Sequence, residues 1–224
     1  MDGAILFDFG GTLDAEGLTW KERFYRLFRD AGVAPSREGF DPLFYRADDA
    51  LVGAIPATLS FRDTVFRLAA DVSRALGLDD DPLTARVAGR FLDDALERLA
   101  ANRPMLERLG RRYRLGIVSN FYGNLPTVCE NAGVRRLFTV IVDSTQVGCE
   151  KPDPRIFQRA VAELELTAAA ATVVGDSLPR DMAGARAAGM RHIWLAGEAA
   201  DGAQACCPGD PVVRSLRAVE ALLL

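Results

Sequence analysis

Lysine is almost missing from this 224-residue chain: of 27 basic residues only Lys21 and Lys151 are lysines, so a lysine inside a motif carries unusual weight. Cysteine is sparse, and Cys129, Cys149, Cys206 and Cys207 show no C-x-x-C spacing. Adjacent cysteines rarely form a structural bridge or a zinc site, so all four read as reduced thiols. No apolar stretch approaches the ~20 residues a membrane span needs, and the first strand-like run starts too early to leave room for a signal peptide. Positive charge is not in excess either. A formal net charge of -4 and an isoelectric point near 5.2 argue against a nucleic-acid or anionic-membrane surface. The expectation is a soluble, cytoplasmic protein with no nucleic-acid or membrane partner. Internal repeats are absent, and His192, the single histidine, falls in a strand-like run where it reads as structural.

What is present is a hydrophobic content of 49%, ample for one large domain or a core with an insertion. The runs Ala4-Ile5-Leu6-Phe7, Leu115-Gly116-Ile117-Val118 and Thr172-Val173-Val174 are continuous rather than alternating, as suits strands buried on both faces of a parallel sheet. From about residue 103 helical and strand-like stretches alternate: helix over 103–112, strand over 114–119, helix over 124–132, strand over 139–143, helix over 153–164, strand over 171–175. Such repeated units predict a parallel sheet with right-handed crossovers. A short Ala-rich helix ending at Gly189, a strand His192-Ile193-Trp194-Leu195 and a last helix over 215–224 complete the pattern. Residues 197–211 read as a flexible stretch.

Residues 15–98 hold no strand-like run and read as consecutive amphipathic helices. The first opens with a capping box, Thr19 and Glu22, carries Trp20, Phe24, Leu27, Phe28 and Ala31 on one face, and stops at Gly32. A second starts near Ser60 and ends at Gly77. A third starts with Asp81 as N-cap and Pro82 as first helical residue, and runs to Leu99. Residues 39–56 are less regular and suit a loop. The predicted fold is therefore α/β, a three-layer Rossmann-like parallel sheet formed by residues 1–14 and 99–224, with residues 15–98 inserted as an α-helical cap domain.

Four short segments carry the chemistry: Asp8-Phe9-Gly10-Gly11-Thr12, Ser119-Asn120, Lys151-Pro152, and Gly175-Asp176-Ser177 through Asp181. Polar residues directly after buried parallel strands lie at the carboxyl ends of those strands, where open α/β sheets bind ligands. Asp8, Ser119, Lys151, Asp176 and Asp181 would then converge on one rim.

In order and spacing, over nearly the whole chain, these segments resemble the haloacid dehalogenase superfamily, most of whose members are Mg2+-dependent phosphatases. The resemblance implies that Asp8 is the nucleophile of an aspartyl-phosphate mechanism, with Ser119 and Lys151 as the other catalytic groups. Gly11, Thr12, Ser119, Asn120 and Lys151 would bind the phosphoryl group. Asp8, the carbonyl of Gly10 and Asp176 would hold Mg2+ with support from Asp181, in keeping with the oxygen ligands this ion takes. The substrate would be a small phosphorylated metabolite, chosen by residues such as Trp20, Tyr45, Arg46 or Arg62.

One position departs from the pattern. Most phosphatases of the superfamily carry a second Asp two residues after the nucleophile as general acid and base, and this chain has Gly10 there. Loss of such a group typically costs ~10²–10⁴-fold in rate unless another replaces it, and Asp14, Glu16 or a cap residue are the candidates. The departure keeps three other readings open: a 2-haloacid dehalogenase, a phosphonate hydrolase using Lys21, and a phosphate-ligand binding protein without turnover.

Overall fold

Strand β1 (Ala4–Phe7) has all four side chains buried, two on each face of the sheet, which fixes it as the centre of a layered structure. The computed structural model describes residues 3–200 and 209–224. Around β1 lie β2 (Arg114–Ser119), β3 (Val140–Asp143), β4 (Ala171–Gly175), β5 (Arg191–Leu195) and β6 (Val212–Val213), all parallel, in the order β3-β2-β1-β4-β5-β6. Because side chains alternate along a strand, Ile5 and Phe7 join one hydrophobic cluster while Ala4 and Leu6 join the other. The sheet thus has helices on both faces, and the three-layer Rossmann-like α/β architecture expected from the sequence is the one found.

Four helices lie between β1 and β2: α1 (Trp20–Asp30), α2 (Arg37–Asp49), α3 (Phe61–Ala75) and α4 (Asp81–Leu109). They share the Ile5 and Phe7 cluster, to which α5 (Leu125–Asn131) and α9 (Leu216–Leu223) also contribute. On the opposite face α7 (Pro154–Glu163) and α8 (Ala183–Ala187) pack through Ile156, Phe157, Ala160 and Ala185, and the one-turn α6 (Ser144–Val147) follows β3. The expected caps are in place: Thr19 Oγ1 accepts from Glu22 N at 3.3 Å, and Gly32 and Gly77 take left-handed φ values of 91° and 72°.

Three local expectations are corrected. Residues 39–49 do not form a loop but belong to α2, capped by Ser36 Oγ accepting from Gly39 N at 3.1 Å, while 50–56 are irregular as expected. Its apolar residues Phe40, Phe44 and Ala47 are buried at helical spacing, and that burial outweighs Gly39 and Pro42 inside the helix. Separate helices over 81–99 and 103–112 are one helix, α4, because Leu99-Ala100-Ala101 favour continuation and Pro104 removes only a single N–H. Its N-cap is Asp80 rather than Asp81, with Oδ1 accepting from Leu83 N at 2.8 Å. Strand β6 had no counterpart in the sequence reading, since two residues give no period. Within residues 197–211, residues 197–200 form a short 3₁₀ turn, while 201–208, with Cys206 and Cys207, lie outside the described residues. Cys129 and Cys149 are unpaired thiols.

One buried polar contact ties the turn after β1 to the helices. Asp14 is fully buried, and its Oδ1 accepts from Gly11 N at 2.7 Å while Oδ2 accepts from Trp20 Nε1 at 2.7 Å and Arg23 Nη1 at 2.8 Å. Arg23 also donates to the Phe91 carbonyl at 3.0 Å and lies over the Phe91 ring at 3.7 Å. On α4, Asn102 Nδ2 donates to the Leu13 carbonyl at 3.0 Å. The turn is therefore held from α1 and α4 together. Asp14→Ala should strand the buried Arg23 guanidinium and cost about 3–5 kcal/mol, read as a lower urea midpoint with unchanged slope. A loss below about 1 kcal/mol, the scale of an exposed ion pair, would show that this contact does not hold the turn.

Candidate active site

Asp8 leaves β1 at the level where the chain order of the sheet reverses between β1 and β4, the place at which open α/β sheets bind ligands. Its Oδ1 accepts three hydrogen bonds: from Phe9 N at 2.8 Å, from Ser119 Oγ at 2.7 Å and from Lys151 Nζ at 2.8 Å. Among the described residues no donor reaches Oδ2, so one oxygen is fixed while the other is left open.

Lys151 is buried and bridges two carboxylates, with Nζ 2.8 Å from Asp8 and 2.6 Å from Asp181 Oδ1. Burial works against its charge, but the attraction of Asp181 and Asp8 outweighs it and raises the pKa, which keeps the ammonium protonated. The main chain at Lys151 is clamped by Asn120, whose Oδ1 accepts from Lys151 N at 2.7 Å and whose Nδ2 donates to the Lys151 carbonyl at 3.1 Å. The Asn120 side chain thus positions the lysine, a role the sequence did not reveal.

The turn after β4 brings in the other two carboxylates. Asp176 accepts from Thr12 Oγ1 at 2.9 Å through Oδ1, and its carbonyl accepts from Trp194 Nε1 at 2.9 Å. Asp181 Oδ2 accepts from Ser177 N at 2.9 Å. Two glycines make room for them. A Cβ on Gly175 would lie 2.4 Å from Asp181 Cγ, and one on Gly11, where φ is 89°, would lie 2.6 Å from Asp176 Oδ2. The Gly11 N–H is donated to Asp14, and the Thr12 hydroxyl to Asp176.

Asp8, Asp176 and Asp181 each offer a carboxylate oxygen, all within 4.8 Å of one another. Burial, then the negative charges of Asp8 and Asp181, push the Asp176 carboxyl up, and burial pushes Asp181 up against the pull of Lys151. Three crowded carboxylates facing one ammonium leave negative charge uncompensated. An all-oxygen donor set of this kind fits a hard divalent cation such as Mg2+.

A cavity of about 180 Å3 opens beside Asp8, Ser119, Asn120 and Lys151. Helices α1 and α2 also line it, with Trp20, Lys21, Phe44, Tyr45 and Asp48. Of the residues expected to choose the substrate, Trp20 and Tyr45 line it, whereas Arg46 and Arg62 do not, Arg62 lying over the Phe66 ring instead. The sequence reading also missed Asp48, Tyr122 and Arg180, which line the same cavity. Arg180 stands in the acidic segment and had a signal there; Asp48 had only the helical spacing of its neighbours Phe40, Phe44 and Ala47. Asp143 is a further omission, a fully buried carboxylate that accepts from Gly123 N at 2.9 Å, Leu125 N at 3.1 Å and Thr145 N at 3.0 Å and so shapes the loop after β2.

At Gly10 the backbone is ordinary, with φ of -73° and ψ of 119°, so conformation does not demand glycine. The neighbour makes the position tight: an added Cβ would lie 3.2 Å from Trp20 Nε1, so the indole, which is held by Asp14, would have to give by a few tenths of an ångström. Of the replacements considered for an acid at this position, Asp14 is enclosed by Gly11, Trp20 and Arg23, and Glu16 pairs with Arg98 at 3.4 Å; neither lines the cavity.

Comparison with known proteins places this geometry. Over 104 residues the chain is 38% identical to haloacid dehalogenase-like hydrolase domain-containing protein 3 of Bos taurus, covering 46% of this chain and only 38% of that relative. It is 29% identical over 209 residues to the phosphoserine phosphatase of Thermus thermophilus, covering 86% of this chain and 80% of the relative. The fold matches the crystal structure of a HAD phosphatase from Thermococcus onnurineus with a TM-score of 0.61 at 23% identity, over 99% of this chain and 97% of that one. A sequence model of the haloacid dehalogenase-like hydrolases matches residues 5–195, from the strand before Asp8 to the end of β5, and the chain belongs to that family.

Proposed function

We propose that this protein is a Mg2+-dependent hydrolase of small phosphomonoesters that works through an aspartyl-phosphate on Asp8. The observation that carries the reading is the Asp8 carboxylate itself, with Oδ1 fixed by Ser119 and Lys151 and Oδ2 open to the cavity. Fixing one oxygen orients the other for in-line attack, and phosphoryl transfer depends on positioning and charge neutralisation more than on strong nucleophilicity. Lys151 would hold a phosphoryl oxygen while it balances Asp8 and Asp181, and Ser119 would donate to the same group. Arg180, whose pKa is raised by Asp8, Asp181 and Asp176 against the effect of burial, adds positive charge at the cavity. Asp8, Asp176 and Asp181 would hold the metal, with the Gly10 carbonyl as a further donor. Bound Mg2+ would neutralise charge on the transferring phosphoryl group.

The helical segment 15–98 would serve as the cap, since Trp20, Phe44 and Tyr45 from its helices line the cavity that Asp8 also lines. The relatives support a phosphate ester as the substrate class, one being a phosphoserine phosphatase. The acidic trio favours a metal-using phosphatase over the metal-free dehalogenase. Lys21 does line the cavity, but its ammonium is paired with Asp41, which disfavours the Schiff base that a phosphonate hydrolase would need.

Phosphate release from a panel of phosphomonoesters is expected with Mg2+, is expected to stop with EDTA, and is expected to vanish in Asp8→Asn. Release that survives EDTA or Asp8→Asn, or no release from any ester, would overturn the reading. Binding to the folded state alone stabilises by RT ln(1 + [L]/Kd), about 2.7 kcal/mol at a hundred times Kd. Saturating Mg2+ should therefore raise the melting temperature of the wild type and do so far less in Asp176→Asn. An equal shift in both proteins would remove Asp176 from the metal site.

A further inference from the structure

We propose that Asp48, in the last turn of α2, is the general acid and base of this site, doing from the helical segment what Gly10 cannot do from the loop. The proposal rests on the phosphomonoesterase reading above. Asp48, on α2, lines the same cavity as Asp8, Ser119 and Lys151. It is anchored to the rim that carries Ser119: the Tyr122 hydroxyl, three residues after Ser119, donates to Asp48 Oδ1, and Gly53 N donates to the Tyr122 carbonyl at 3.3 Å. Among the described residues no group donates to Oδ2, so that oxygen is open to a ligand. Trp20, Phe44 and Phe121 give the cavity apolar surface around it.

The environment sets the protonation state that the role requires. Burial pushes the Asp48 carboxyl up to about 6, and Asp49 adds to the rise, whereas the Tyr122 hydrogen bond and the Arg180 charge oppose it. Tyr45 lies on the same helix, and the remaining charged groups around the cavity are Lys21 on α1, Glu150 and Lys151 after α6, and Asp8 after β1. A carboxyl that titrates near neutrality serves both as donor and as acceptor.

The step balances as follows. Asp8 Oδ2 attacks phosphorus, the bond from phosphorus to the ester oxygen breaks, and its electron pair stays on that oxygen, which takes the Asp48 proton and leaves as the alcohol. Water then attacks phosphorus and gives a proton to the Asp48 carboxylate, the bond from phosphorus to Asp8 Oδ2 breaks with its electron pair returning to the Asp8 carboxylate, and inorganic phosphate leaves with both side chains restored.

The test compares an alkyl phosphate with p-nitrophenyl phosphate, whose leaving group needs no proton. Asp48→Asn should lose ~10²–10⁴-fold in kcat/KM on the alkyl ester and less than about tenfold on p-nitrophenyl phosphate. In the wild type, kcat/KM for the alkyl ester should fall as pH rises through about 6, since the acid must be protonated. Titration of the substrate phosphate falls in the same range, and two variants separate the two. Asp49→Asn removes a like charge and should move the limb to lower pH, while Tyr122→Phe removes the stabilising hydrogen bond and should move it to higher pH; a substrate titration would move in neither. Equal losses on both esters in Asp48→Asn, or a limb that stays in place in both variants, would overturn the acid role and leave the phosphatase reading standing. A wild-type protein inert to every ester would overturn both.

Discussion

The position of Lys151 between Asp8 and Asp181 is the contact on which the rest of the site depends. Three carboxylates cannot be gathered at the end of a buried sheet without positive charge, because burial and mutual repulsion both favour their protonation. One ammonium, 2.8 Å and 2.6 Å from two of them, makes the cluster tenable before any metal is bound. Neighbouring structure serves that placement. Asn120 fixes the main chain at Lys151, Asp143 shapes the loop that carries Asn120, and Gly175 admits Asp181 at a distance no side chain would allow.

The sheet and its site were legible for the same reason. A strand buried on both faces shows as an unbroken apolar run, and the polar residue at its end marks the rim, so Asp8, Ser119 and Asp176 could be placed from order, and Asp181 from the acidic segment that Asp176 opens. Lys151 stood out because the chain has so little lysine. The contacts that orient these groups were not legible, since they join residues far apart in sequence: Asn120 with Lys151, Thr12 with Asp176, Trp194 with the Asp176 carbonyl. Nothing in a linear pattern distinguishes an asparagine that holds a ligand from one that holds a lysine.

The helical segment was harder to read, and α2 shows why. Gly39 and Pro42 are local breakers, yet Phe40, Phe44 and Ala47 recur at helical spacing and bury against α1. Tertiary burial outweighed local preference, and with the helix lost the sequence reading also lost Asp48 and Asp49, the carboxyl residues by which α2 lines the cavity.

The indole of Trp20 over Gly10 has a consequence for how this chain can change. A side chain at position 10 would press on a ring that is itself bonded to Asp14, which in turn holds Gly11 and Arg23. Positions 10, 14 and 20 are therefore coupled: a side chain at position 10 is accommodated only to the extent that the indole and the Asp14 contact behind it give way by a few tenths of an ångström. The same coupling carries a change at position 10 through Asp14 to Gly11 and Arg23, and so to the turn that presents Asp8.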